Sequence, residues 1–495
     1  MKKFLLFILT VLVILTGILA FNTLSLKSKQ LISGNGVALQ LPVDEKAVEH
    51  LSRAIQINTI SFADSLKMAD ALPRFDSFIG FLKSTYPLVF NSLEDTVIGG
   101  RNILLKWKGS DSSLPPAILY AHMDVVPIEQ NTISQWKHAP FSGQIADGYI
   151  WGRGALDDKG SLVSIFEALT RCLQKGLKPA RTIYIASGSD EEVGGKTGAE
   201  SIASYCRQNK LHFGFYEDEG LMIARGVVPN IKKDVALIGT AEKGYLTIEL
   251  MVDMPGGHSS KPQKETALDV LVKAVKKVHD KPFEKMVSPS TIGFIDYLAC
   301  EMPMPLKLVF ANKWLFKSLI LSEYAKTDAG NALVRTTGVA TVMNAGLQDN
   351  VIPTKVSAKI NFRILPGQST QQVAEKVKEI IDDSRVQIIS GERVEPSQST
   401  PANSWGFKLL QKTSAEVFPD VIVAPSLMIG STDSKHFADL TDATYRFFPT
   451  RMDNEAIGSI HGINERIKIP YFMETIRFYE TLLNNMQTFS AENRK

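Results

Sequence analysis

Apolar positions along this chain fall into three regimes. The first is an almost unbroken run from Phe4 to Phe21, relieved only by Thr10, Thr16 and Gly17 among apolar residues and preceded by Lys2 and Lys3. As a helix it extends about 27 Å at ~1.5 Å per residue, just enough for a hydrocarbon core of ~30 Å. Residues 1–21 therefore fit a membrane anchor. They equally fit a signal peptide with a basic start, for which Gly17-Ile18-Leu19-Ala20 offers a weak small-residue cleavage site. In both cases Lys2 and Lys3 stay cytoplasmic and the remainder is sent outward. The body is then anchored outside the cytoplasm, or secreted or periplasmic after cleavage. Residues 22–41 are polar, without periodicity, and read as a linker.

The second regime, 42–240, alternates two periods. Val48, Leu51 and Ile55, then Phe75, Phe78, Ile79 and Leu82, have helical spacing. Arg101–Trp107, Ala117–Ala121, Arg181–Ala186 and Phe213–Tyr216 are short apolar strands, with a helix over Ser161–Leu173 between them. Strand, acidic loop and helix in repetition predict a doubly wound α/β sheet.

In the third regime, Tyr245–Val252 alternates like a half-buried strand, and Ala267–Val278 has helical spacing. Gly338–Met343 and Val356–Phe362 read as strands, Gln371–Ile381 as a helix and Val386–Ile389 as a strand. That order predicts a separate α+β lid inserted over 241–391, after which 392–495 complete the first domain. Residues 281–335 exceed what such a layer needs. Their Met302, Pro303, Met304, Pro305, Leu308, Phe310, Trp314, Leu315, Leu319 and Ile320 suit packing within the lid or a subunit interface, or else a surface for acyl chains or a bilayer.

Composition narrows the function. The 495 residues are 44% hydrophobic and 22% charged, which allows large cores in two or more domains. A net charge of +3 from 55 basic and 52 acidic residues excludes a nucleic-acid footprint. Cys172, Cys206 and Cys300 are odd in number and far apart, against both a disulfide framework and a thiolate metal site.

The loops that follow the apolar runs carry the chemistry. His122 offers a neutral imidazole, and Asp124, two residues on, points the same way and can fix its tautomer. Asp157, within a glycine-rich turn, suits a carboxylate shared by two metals. Of the neighbours Glu191 and Glu192, one can bind metal while the other acts as a base. Asp218-Glu219 is a further acidic pair, and His461 a late imidazole. Each alone is an ordinary polar loop; their order after successive strands makes them a set.

Six segments carry a resemblance. They are Tyr120-Ala121-His122-Met123-Asp124-Val125-Val126-Pro127, Gly152 to Gly160, Ser189-Asp190-Glu191-Glu192-Val193-Gly194-Gly195, Asp218-Glu219-Gly220, Gly257-His258-Ser259-Ser260 and His461-Gly462-Ile463-Asn464-Glu465-Arg466. In this order they resemble the di-zinc aminoacylase/carboxypeptidase metallopeptidase family, within it the branch of carboxypeptidase S and N-fatty-acyl-amino-acid synthase/hydrolase. The resemblance implies a zinc-peptidase domain with an inserted lid of the dimerisation type, and two Zn2+ per subunit. One ion is expected on His122, Asp157 and an acid from Asp218-Glu219, with Asp218 preferred as nearer the strand end. The other is expected on Asp157, Glu192 and His461.

By the same resemblance, Glu191 is the general base, Asp124 supports catalysis, and His258 reaches a partner subunit's site to stabilise the oxyanion. Arg363 grips the carboxylate of a substrate such as a small peptide or N-acyl amino acid. The expected partners are that substrate, a homodimer mate through the lid, and a membrane through the N-terminal segment. The alternatives are a deacylase of one small metabolite, such as a desuccinylase or deacetylase, and an inactive binding protein on the same scaffold.

Overall fold

A computed structural model describes residues 1–31 and 40–492. Residues 32–39 of the expected linker lie outside the described residues.

The larger sheet has eight strands in the order Glu94–Ile98, Asn102–Trp107, Ile183–Ser187, Ala117–Tyr120, Phe215–Ala224, Thr444–Met452, Val235–Glu242 and Ile422–Met428. It is mixed. Ala117–Tyr120 runs parallel to both its neighbours, and Ile422–Met428 runs parallel to Val235–Glu242. Successive side chains take opposite faces. Ile103, Leu105, Leu119 and Ile185 face one core, built with the helices Glu45–Gln56, Ser65–Thr85, Lys159–Gln174 and Trp405–Val417. Leu104, Ile118, Tyr120 and Tyr184 face the other, against the helix Ala199–Gln208. Helices on both faces make this a doubly wound α/β layer.

The smaller sheet is antiparallel throughout, in the order Thr337–Asn344, Lys355–Ile364, Gly244–Asp253 and Val386–Val394. Gly244–Asp253 alternates buried and half-buried along nearly its whole length. Leu246, Ile248, Leu250 and Val252 pack on the helices Ala267–Asp280 and Thr370–Ile381. Each helix opens on a capping box, Thr266 with Asp269 and Ser369 with Gln372, a device worth about 1 kcal/mol.

Two segments make contacts that the sequence pattern does not show. Residues 281–335 do not simply thicken the lid. Their helix Pro289–Leu298 covers Ile422–Met428 at the margin of the larger sheet, with the Tyr297 ring 5.4 Å from that of Phe407 and its hydroxyl donating to the Ala402 carbonyl at 3.2 Å. An edge strand left bare invites pairing with other chains, and this helix shields it. The described part of the linker also touches the body. The N-terminal helix runs Lys2–Leu24, past Phe21. Beyond it the Gln30 side-chain amide both accepts the Val423 N–H and donates to the Val423 carbonyl, each at 2.9 Å, as a neighbouring strand would.

Candidate metal centre

His122, two residues past the end of the strand Ala117–Tyr120, is fully buried. Its Nε2 lies 2.9 Å from Asp157 Oδ1 and 3.6 Å from Glu219 Oε1. On the other side of Asp157, Oδ2 is 3.0 Å from His461 Nε2, which is itself 3.1 Å from Glu192 Oε2. Two three-ligand groups, His122-Asp157-Glu219 and Asp157-Glu192-His461, therefore share one carboxylate.

This arrangement suits a cation. Among the described residues, the close ionic partners of Asp157, Glu192 and Glu219 are the two imidazoles, and no lysine or arginine pairs with them. Glu192 Oε1 is buried without a hydrogen-bond partner. Buried carboxylates left uncompensated are costly. Burial and the Asp157 charge raise the Glu219 carboxyl well above its ordinary range, and the same causes push Glu192 up to about 7. Burial alone would lower the His122 pKa, yet hydrogen bonds to Asp124 and Asp157 raise it well above the usual value. Asp157 and Glu192 likewise raise His461 to about 10. A carboxylate-imidazole donor set without thiolate suits a divalent ion of the zinc type.

Of the acidic pair, Glu219 and not Asp218 lies within reach of His122. The strand does not end before the acidic pair but runs Phe215–Ala224 straight through it. Alternation then sends Glu219 toward His122 and Asp218 to the opposite face. There Asp218 accepts the Tyr216 hydroxyl at 3.2 Å.

Asp124 acts as a bracket. Its Oδ1 accepts the Glu191 N–H and its Oδ2 the Glu192 N–H, both at 3.1 Å, while its own carbonyl lies 3.0 Å from His122 Nδ1. One residue thus orients the imidazole and the turn that carries both glutamates. Burial and the neighbouring Asp433 carboxylate raise Glu191 well above the glutamate range.

Several further groups support the ligands. Ser61 donates to Asp124 Oδ2 at 2.6 Å from 63 positions away, with no local signal. Asp433, buried behind the Glu191 turn, accepts the Tyr120 hydroxyl at 2.6 Å. His436 Nε2 lies 3.0 Å from the Gly194 carbonyl and Nδ1 3.0 Å from Glu200, so it braces the loop after Glu192. Glu465 stood inside a recognised segment, but its partners were not legible. Its Oε1 accepts the N–H groups of Gly154, Leu156 and Asp157, and its Oε2 pairs with Arg153 at 2.6 Å. Arg153 also donates to the Gly462 carbonyl beside His461 at 2.7 Å.

Two residues stand apart from the ligand groups. His258 is exposed on a short ribbon, Gly257–His258 paired with Val351–Ile352, and its Nδ1 accepts the Ser260 N–H at 3.1 Å. Arg363 lies in the lid strand opposite Thr337 and Tyr245, its guanidinium 5.0 Å from the Tyr245 ring. Its Nη1 is buried without a partner.

Comparison with known proteins places the chain in context. The model of peptidase family M20/M25/M40 matches residues 118–485. A probable carboxypeptidase S-like 2 of Dictyostelium discoideum is 38% identical, covering 95% of this chain and 92% of that protein. The N-fatty-acyl-amino acid synthase/hydrolase PM20D1 of Xenopus tropicalis is 36% identical over 96% of this chain and 94% of its own length. The M20 family metallo-carboxypeptidase Sso-CP2 from Sulfolobus solfataricus shares the fold at a TM-score of 0.67 and 21% identity, covering 90% of this chain and all (100%) of that one.

Proposed function

Since the chain belongs to peptidase family M20/M25/M40 and is a metal-dependent hydrolase, we propose that it holds two zinc ions per subunit and cleaves the amide bond of N-acyl amino acids or small peptides bearing a free carboxylate. The observation that carries this reading is the sharing of Asp157 between the His122-Glu219 and Glu192-His461 groups, with Glu191 on the same turn as Glu192.

When bound, the zinc pair supplies a polarised amide carbonyl and an acidified water. The side chains do the rest. Glu191, whose raised pKa suits a group that takes and returns a proton, removes a proton from the water and delivers it to the leaving amine nitrogen. Asp124 keeps that turn and the His122 ring in place. Arg363, with a free buried N–H, grips the substrate carboxylate, a task suited to a guanidinium fork.

His258 donates to the developing oxyanion of a partner subunit. Its exposed place on the lid supports action in trans. So does the neighbouring outer strand Thr337–Asn344, which bares Val339, Val342 and Met343 along an unpaired margin where a second lid can dock. The N-terminal helix carries the body out of the cytoplasm.

A turnover screen of the zinc-supplemented protein with N-acetyl, N-fatty-acyl and dipeptide substrates tests the reading. Release of amino acid from acylated or peptidic substrates is expected. Absence of turnover in all three substrate classes, with metal shown to be bound, would overturn it.

A further inference from the structure

The N-terminal helix meets the body along one stripe. Leu15, Leu19, Asn22 and Thr23, and Leu26 just beyond the helix, are shielded to varying degrees, whereas residues 1–14 are all exposed. The centre of this contact is Asn312, fully buried between the helices Met304–Ala311 and Lys313–Tyr324. Its amide nitrogen lies 3.2 Å from the Leu19 carbonyl, 3.3 Å from Thr23 Oγ1 and 2.9 Å from the Leu308 carbonyl, and its Oδ1 accepts from Asn22 at 2.9 Å. Below this lock, Lys29 pairs with Asp296 at 3.4 Å, and Gln30 clasps Val423. The helix is therefore fixed to the body at its last turns.

Length turns this contact into a depth. A hydrocarbon core of ~30 Å needs about 20 helical residues, whereas the exposed residues from Lys2 to Ile14 cover only about 20 Å at ~1.5 Å each. The rest of a ~20-residue span then comes from the docked turns of the same helix, Leu15 to Leu24. Whatever packs beside those turns lies at bilayer depth too. What packs there is Met304–Ala311, an apolar helix with Lys307 as its one charge and no fully buried residue. The helix after it exposes Trp314 (59%), Leu315 (44%) and Leu319 (46%), with Lys313 and Lys317 beside them. Aromatic and aliphatic groups bordered by lysines match the boundary between acyl chains and headgroups. Asn312 can sit there because its amide is satisfied by the helices themselves.

We propose that the N-terminal helix stays on the mature protein and is locked to it through Asn312, so that Met304–Ala311 and the Trp314 face are embedded in the bilayer leaflet next to the catalytic body. The protein then rests on the lipid surface at a fixed attitude. This inference does not depend on the substrate reading above.

The test uses the full chain reconstituted into phosphatidylcholine vesicles with brominated acyl chains, a contact quencher of indole, against the same lipid unbrominated. Trp314 should contribute a quenched component that disappears in Trp314→Phe, a surface change that leaves the melting temperature unaltered. Equal quenching in the two proteins would overturn the proposal. So would Trp314 emission that responds to protein density in the vesicle and not to bromine, since a second copy would then cover the face. The intact mass of the chain taken from its native membrane should include residues 1–26; a mature chain beginning after Ala20 would also overturn it.

Discussion

The backbone N–H of Asp157 is held at 3.2 Å by Oε1 of Glu465, a residue 308 positions later in the chain. That oxygen also takes the N–H groups of Gly154 and Leu156, and Arg153 extends the link to the carbonyl next to His461. The turn bearing Asp157 and the loop bearing His461 are thus one mechanical unit. Glu465→Ala should lower metal affinity by ~10 to 100-fold, the usual cost of losing an outer support of a ligand. Metal content after equilibration against graded chelator checks this.

Glu191→Gln should keep both ions and lose ~100 to 10,000-fold in rate, because an amide cannot take the proton while the ligand set is untouched. Metal analysis alongside kcat decides it: full metal with less than a tenfold loss would remove Glu191 from the role of base.

The two acids of the Asp218-Glu219 pair should separate cleanly. Glu219→Ala removes a group that faces His122, so metal stoichiometry should fall. Asp218→Asn keeps the hydrogen bond with Tyr216 and should leave the stoichiometry intact. Metal-to-protein ratios for the two variants distinguish them.

His258→Ala should retain metal and lose roughly a hundredfold or more in kcat, as for other single oxyanion donors, with a smaller change in KM. Mixing His258→Ala with Glu191→Gln should restore activity in heterodimers, since one of the two sites then holds a wild-type glutamate and a wild-type histidine. Absence of recovery, with subunit exchange demonstrated, would place His258 in its own chain or outside catalysis.

Lys159 is fully buried, its ammonium donating to the Ala54 carbonyl at 3.0 Å and the Ile57 carbonyl at 2.5 Å, and burial lowers its pKa to about 7. The ordinary value is ~10.4, so between the two the unfolded chain binds the extra proton and stability should rise with pH. The gain over that window should be of order a few kcal/mol. Lys159→Met should flatten this rise, read as unfolding free energy from pH 7 to 10 in wild type and variant.

Periodicity alone was enough for much of the architecture. The period-two run through Tyr245–Val252 and the helical spacing of Ala267–Val278 survive almost unchanged as Gly244–Asp253 and Ala267–Asp280, because burying one face of each element leaves a pattern that any reader of the chain can see. His122, Asp157, Glu192 and His461 were legible for a related reason. Imidazoles and carboxylates in short loops are few enough to be picked out in a chain, whereas the choice of Glu192 over Glu191 rested on the family resemblance.

Tertiary structure decided what depends on register and on distant partners. Glu219 rather than Asp218 faces His122 because the strand continues past the pair, and a shift of one residue exchanges the faces. Ser61, Glu465 and Gln30 act through partners 63, 308 and 393 positions away, separations over which a sequence records no distance. The apolar stretch from Met302 to Ile320 could be recognised as greasy from its composition. Whether it filled a core or stood beside the N-terminal helix was a matter of which surfaces meet, and that is settled by packing of the whole chain.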